Sequence, residues 1–186
     1  VSVNHAGAVI EGVTFQGKTV SCRNATGFGV QIGANGGTVR VSRVTGFIAG
    51  SYSQTGAVEL NSDYAVLEDC VVDGNNASYS NDLMCWCGGV YLQKGMVRGC
   101  QILTNIAHQA AGLYIKGGTA DDCLIAGNAI YYPDRGTTDL GTGAGVYASG
   151  GMVTNCVITA NRAFIYSGVG GVRLEGTGAK LADCII

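Results

Sequence analysis

Residues 88–105 read GGVYLQKGMVRGCQILTN, and most of the chain repeats this stretch. Aligned on its cysteine, YAVLEDCVVDGN ends at Asn75, TADDCLIAGN at Asn128 and MVTNCVITAN at Asn161, while KLADCII stops at Ile186. Cys70, Cys100, Cys123, Cys156 and Cys184 therefore share one column. In four of these copies an asparagine follows five residues later, at Asn75, Asn105, Asn128 and Asn161. Each copy opens on a short run: AVEL (57–60), GVYL (89–92), GLYI (112–115), GVYA (145–148) and GVRL (171–174). Two looser copies come first, AVIEGVTFQG (8–17) and GVQIGANGGTVRVSRVTG (29–46), with Val13 and Val44 read in the cysteine column.

The opening positions Val30, Val58, Val90, Leu113, Val146 and Val172 are spaced by 28, 32, 23, 33 and 26 residues, a solenoid period. Within a unit the pattern alternates, Val90 and Leu92 to one side and Tyr91 to the other, which is strand and not helix periodicity. Val97 and Cys100 are three residues apart and share a face only if the chain turns a corner between them. The residue before the cysteine column supplies that corner: Gly12, Asp69, Gly99, Asp122, Asn155 and Asp183, with Arg43 as the exception. Gly, Asn and Asp are the residue types that tolerate a left-handed backbone. Stacking such coils at the strand spacing of about 4.8 Å makes parallel sheets whose inner columns are Val/Leu and Cys/Ile.

The expected fold is thus all-β, a right-handed parallel β-helix solenoid of about seven coils, one domain over residues 1–186, uncapped at both ends. The last copy stops before its asparagine, and open parallel edges invite pairing. That predicts a segment of a longer chain or an end-to-end self-associating assembly.

The composition narrows the class. With 47% hydrophobic and 13% charged residues the chain is not of the disordered type, and 1 proline among 186 residues excludes a collagen-like repeat. A net charge of −2 offers no basic footprint for nucleic acid. No apolar run approaches the eighteen or so residues of a membrane-spanning helix.

The motif GG-[VL]-Y-x followed by V-x-N-C-x-I-x-x-N resembles the repeats of right-handed parallel β-helix proteins. It is most similar to those of large bacterial surface proteins, including autotransporter passengers and polymorphic outer-membrane proteins, over roughly residues 8–186. The polymorphic membrane proteins repeat GGAI and FxxN elements, whereas here a cysteine stands in the second element. The resemblance implies the fold and an extracellular or cell-surface location. It says little about activity, since the architecture hosts enzymes, adhesins and stalks alike.

Three groups of residues are candidates for function or structure. The first is the pair of columns themselves. The five aligned cysteines read as reduced, small apolar core fillers, because adjacent coils hold their Cβ vectors parallel and a line of thiols is not the tetrahedral cluster of a closed metal site. The four asparagines would form an internal amide ladder. No metal or cofactor is expected from them.

The second group is catalytic. Asp121-Asp122-Cys123 resembles the DDC of polygalacturonases, although the GHG and RIK elements of that family are absent and Asp122 already has a role as a corner residue. A pectate-lyase-like site would take calcium on carboxylates and use Lys or Arg as the base. Lys116, Asp134, Arg135 and Asp139 could serve, though nothing in the sequence sets their spacing.

The third group is the outward column Gln31, Glu59, Tyr91, Tyr114, Tyr147 and Arg173, joined by Tyr79, Trp86, Tyr131 and Tyr132 on the two longest loops. Aromatic rings beside polar groups suit sugar faces, and the same tyrosines would also serve as a cross-strand ladder stabilising the sheet. Two function classes follow: an extracellular structural or adhesive module that binds a glycan or a surface protein, and a polysaccharide-degrading enzyme. The first is favoured, since no catalytic constellation survives comparison with the repeat columns.

Overall fold

In the run Val90-Tyr91-Leu92, Val90 and Leu92 are fully buried inside the coil while Tyr91 leaves the other side of the strand. The same alternation holds in each successive coil. The computed structural model describes residues 1–17, 19–20, 29–49, 56–77, 86–131, 143–164 and 168–186. Cys22, Tyr79, Cys85, Tyr132, Asp134, Arg135 and Asp139 lie outside these. Among the described residues there is no helix, and every strand pairing is parallel, joining each coil to the next. The chain is an all-β parallel solenoid.

Each turn has three faces. The first carries the column Ser2–Val3, Val30–Ile32, Val58–Glu68, Val90–Arg98, Leu113–Ile115, Val146–Ala148 and Val172–Leu174. After a bend, a second leg of the same sheet continues, as in Thr119–Asp121 and Met152–Thr154. The second face is a six-stranded sheet from Thr14–Gln16 to Val157–Thr159. The third face was not expected from the sequence. Its two-residue strands, Thr19–Val20, Ile48–Ala49, Ile106–Ala107, Ala129–Ile130 and Arg162–Ala163, are too short to show a period. They occupy positions that read as the start of loops.

This face also corrects the coil count. The turn opening at Val58 has only an isolated bridge at Asn76 on the third face, and the turn opening at Val172 has none among the described residues. About five turns are complete on all three faces, against the seven expected, although seven strands do stack in the first column.

The corner column is present in all seven coils, with one correction. Gly12, Asp69, Gly99, Asp122, Asn155 and Asp183 have φ between 50° and 69°. In the second coil, however, the corner residue is Val41 (φ 49°) and not Arg43, because Val71 pairs with Arg43 and Val72 with Val44. Ser42, not Val44, therefore stands in the cysteine column. Its chemistry explains the column: Ser42 Oγ donates to Arg40 O, two residues back, at 2.7 Å. Each cysteine Sγ likewise lies 3.0–3.2 Å from the carbonyl two residues back, at Glu68, Arg98, Asp121, Thr154 and Ala182. Each of these carbonyls already accepts the corner residue's N–H from the preceding coil, at 3.0–3.3 Å, and the short S–H or O–H side chain adds a second donor to it. The five column cysteines and Cys87 are free thiols. Hydrogen bonding to Cys123, with burial added, holds the Cys100 and Cys156 thiols above their ordinary range.

A second left-handed column stands at Gly46, Gly74, Thr104, Gly127 and Ala160, and the last four each precede an asparagine. It aims each asparagine inward. Asn75 Nδ2 donates to Asn105 Oδ1 (2.9 Å), Asn105 Nδ2 to Asn128 Oδ1 (3.1 Å) and Asn128 Nδ2 to Asn161 Oδ1 (3.0 Å). The second proton of each amide goes to a carbonyl of the preceding coil, at Val44, Val72, Ile102 and Ile125. Each Oδ1 also accepts the backbone N–H of the residue one coil back, Phe47, Asn75, Asn105 or Asn128. These amides press on the glycine that opens the coil. A Cβ on Gly112 would lie 2.9 Å from Asn128 Nδ2, and one on Gly145 would lie 2.7 Å from Asn161 Nδ2. The first residue of GVY is glycine for lack of room.

Five outcomes are expected. Val41 is β-branched at positive φ and its side chain is mostly exposed, so relieving it costs no packing. Val41→Gly should raise the unfolding free energy by about 1 kcal/mol, read as a higher denaturant midpoint at unchanged slope, and Asp122→Val should lower it by a similar amount. Asn105→Ala strips acceptors from Asn75 and donors from Val72 and Asn128 at once, and should cost about 3–5 kcal/mol. Cys100→Ala should cost on the order of 1 kcal/mol and Cys100→Ser less, since Ser42 shows that a hydroxyl fits the column. Non-reducing thiol titration of the unfolded chain should find at least the six free thiols at Cys70, Cys87, Cys100, Cys123, Cys156 and Cys184.

Candidate functional site

Strand alternation determines which residues share the outer surface of the first face. In-register pairing runs Gln31, Glu59, Tyr91, Tyr114, Tyr147 and Arg173 in one column. Two residues further along the same strands lie Gln93, Lys116, Ser149 and Glu175. The three tyrosines occupy consecutive coils and pack ring to ring. Tyr91 and Tyr114 have centroids 5.1 Å apart with planes at 60°, and Tyr114 and Tyr147 are 4.9 Å apart at 77°. These are the inclined and edge-on arrangements that ring quadrupoles favour.

The tyrosines are not bare. Tyr91, Tyr114 and Tyr147 are 4%, 5% and 7% exposed, gathered with Cys87 and Ala110 into a small cluster outside the main core, with Trp86 packed on it. Trp86 sits 6.3 Å from Tyr114, its plane inclined by 33°. Its position follows from the backbone: Ala110 N donates to Trp86 O, Gly88 N donates to Ala110 O, and Cys87 bridges Ala110. Lys116 is exposed, and its Nζ lies 5.8, 5.5 and 5.7 Å from the centroids of Trp86, Tyr91 and Tyr114. The ammonium is thus held by three rings together, a cation–π arrangement.

Polar groups close the column at both ends. Glu59 is 2% exposed, and both its oxygens are taken by amides: Gln31 Nε2 donates to Oε2 at 3.0 Å and Gln93 Nε2 to Oε1 at 2.7 Å. At the other end the Tyr147 hydroxyl donates to Glu175, whose other oxygen accepts from Arg173 Nη2 at 3.3 Å. Burial, reinforced by the charges of Cys87 and Glu59, pushes the Tyr91 hydroxyl up to about 12. Burial does the same for the Cys87 thiol, also to about 12. Tyr147 is raised by burial and then by its bond to Glu175. All three groups are neutral at physiological pH.

The other candidates fall elsewhere. Asp121 lies on the second leg, in register with Arg98 and Thr154, and its Oδ1 accepts from Asn155 Nδ2 at 2.8 Å. Asp122 is a corner residue, φ 51°. Tyr131 is half exposed and follows the third-face strand, away from the tyrosine column. On the aromatic face, Glu59 and Glu175 are separated by four strand steps, about 19 Å at the usual spacing. That is far beyond the 6.5–9.5 Å or so of an inverting carboxylate pair. No group of three His, Cys, Asp or Glu among the described residues is arranged to hold a metal ion.

Lys116 and Gln93 are among the members of this face that were not recognised from the sequence as part of it. Lys116 was grouped with loop residues as a base, and Gln93 was not singled out. The signal was present in both cases, since each lies two residues after a column tyrosine and period 2 returns it to the same side. The comparisons with protein-family models, with curated proteins and with solved structures each find no match, so no relative's activity bears on this face.

Proposed function

We propose that the chain is an extracellular structural or adhesive module, a β-solenoid shaft whose first face binds a glycan. The observation that carries this reading is the set of Trp86 and three stacked tyrosines on the outer side of the wall, with the Lys116 ammonium held among them. The main core lies on the opposite side of the same strands and makes no demand for rings here. An apolar platform rimmed by amide, ammonium and carboxylate groups matches a saccharide, which presents C–H faces and hydroxyls together. The buried tyrosines form the supporting layer, and Trp86 and Lys116 are the groups a ligand would meet. Binding without turnover fits the carboxylates better than hydrolysis does, since each is committed to its own donors and the two are widely separated. The free thiols do not oppose an extracellular setting. The column cysteines from Cys70 to Cys156 are at most 2% exposed, and an oxidant cannot reach them in the folded chain.

The test is a panel of neutral and acidic polysaccharides, with and without calcium, scored for binding and for cleavage. Retention without new reducing ends or unsaturated-uronate absorbance is expected. Trp86→Ala should weaken that retention about tenfold, measured well below the variant's melting transition because the loss of Trp86 packing on the tyrosine cluster also lowers stability. Cleavage products would place the chain among polysaccharide-degrading enzymes instead, and neither binding nor cleavage would leave a stalk or fibre.

A further inference from the structure

The ligand class at this face can be narrowed, on the glycan-binding reading just given. We infer that the aromatic face selects an acidic saccharide, a uronate whose ring carboxylate pairs with Lys116 while its C–H face stacks on Trp86.

The first argument is the state of the cation. Arg40, Arg43, Lys94, Arg98 and Arg173 each have a carboxylate partner, at 2.8, 2.6, 3.8, 2.6 and 3.3 Å. Lys116, like Arg162 and Lys180, has none among the described residues, but it is the one whose ammonium lies over three rings. The nearby acids do not compensate it, because Glu59 is saturated by Gln31 and Gln93, and Glu175 by Tyr147 and Arg173. Among the described residues, therefore, no carboxylate on this face is left to neutralise the Lys116 charge.

The second argument is preorganisation. A surface lysine ordinarily loses rotamer freedom when it captures an anion, and that loss cancels most of the gain. Here three ring faces already confine Nζ, and the strand beneath it is anchored by Leu113 and Ile115, both fully buried. The third argument is reach. Nζ lies 5.8 Å from the Trp86 centroid, so a sugar stacked on that ring carries a carboxylate bonded directly to its own ring towards the ammonium. An acidic peptide has the charge without the stacking face, and a neutral sugar has the face without the charge.

The experiment is calorimetric titration of the full chain with an oligogalacturonate, its methyl-esterified counterpart, a sulfated neutral oligosaccharide of equal length, and poly-glutamate. The acid form should bind about tenfold more tightly than the ester at low salt, with the margin shrinking as ionic strength rises. Lys116→Gln should abolish the margin by weakening the acid form far more than the ester, and Lys116→Arg should retain it. Equal binding of acid and ester by the native chain, a margin that survives Lys116→Gln, or poly-glutamate or the sulfated sugar binding as tightly as the uronate would each overturn the inference while the glycan reading stands. Failure of every saccharide, the ester included, would overturn both.

Discussion

The constraint on which the rest depends is the contact between the asparagine amides and the opening glycines. A parallel solenoid closes its backbone hydrogen bonds only between coils, so each coil must sit at the same height and the same rotation as its neighbours. Between Asn75 and Asn161 that registration is enforced by amides that donate both forward, to the next asparagine, and backward, to the preceding coil's carbonyl. Gly112 and Gly145 are the complement of the ladder, since the space a Cβ would fill holds Asn128 Nδ2 and Asn161 Nδ2. Because an unmade bond at a buried amide costs more than a made one gains, the ladder acts chiefly by penalising every other register.

That registration is what makes an outer site available. Once coils align, a residue type repeated at one position becomes a column, and Tyr91, Tyr114 and Tyr147 meet at about 5 Å without any contact of their own having to direct the fold. Inward and outward sides of the strand are chemically independent, so the core can be kept as Val, Leu and Ile while the outer side changes from Glu59 through three tyrosines to Arg173. The charged column on the second leg shows the same freedom. Glu11, Arg40, Glu68, Arg98 and Asp121 alternate in sign along the stack, with pairs closed at 2.8 Å between Arg40 and Glu11 and 2.6 Å between Arg98 and Glu68. These pairs are largely exposed and contribute little to stability, but they disfavour a one-coil slip that would set like charges opposite one another.

The legibility of the chain follows the same physics. Columns held by a specific side-chain requirement were readable: cysteine, asparagine, the opening glycine, and most of the corner, because few residue types meet each demand. The second coil was misread because Val41 violates the corner's preference and Ser42 replaces cysteine, so the valine at Val44 seemed the better match by hydrophobicity. The hydroxyl–carbonyl bond that equates Ser42 with Cys100 is invisible to a hydrophobic pattern. The third-face strands were missed for want of length, two residues being too few to establish a period. At the aromatic face the column itself was legible from alternation, but its cover was not. Trp86, Cys87 and Ala110 reach the tyrosines through backbone bonds between loop segments, and nothing in their spacing announces it.

The cover decides how the face can work. A bare column of tyrosines would be a flat strip, and its rings would be free to reorient on contact. Here Trp86 and Ala110 press the rings into inclined packing with exposures of 4–7%, and the Lys116 ammonium is held above them in turn. Order therefore passes outward in steps, from the amide ladder to the strands, from the strands to the tyrosines, and from the tyrosines to Trp86 and Lys116. The flexible lysine stem is confined only by the last of these layers. A ligand arriving at such a face has little left to organise, so its binding energy is spent on its own contacts and not on ordering the protein.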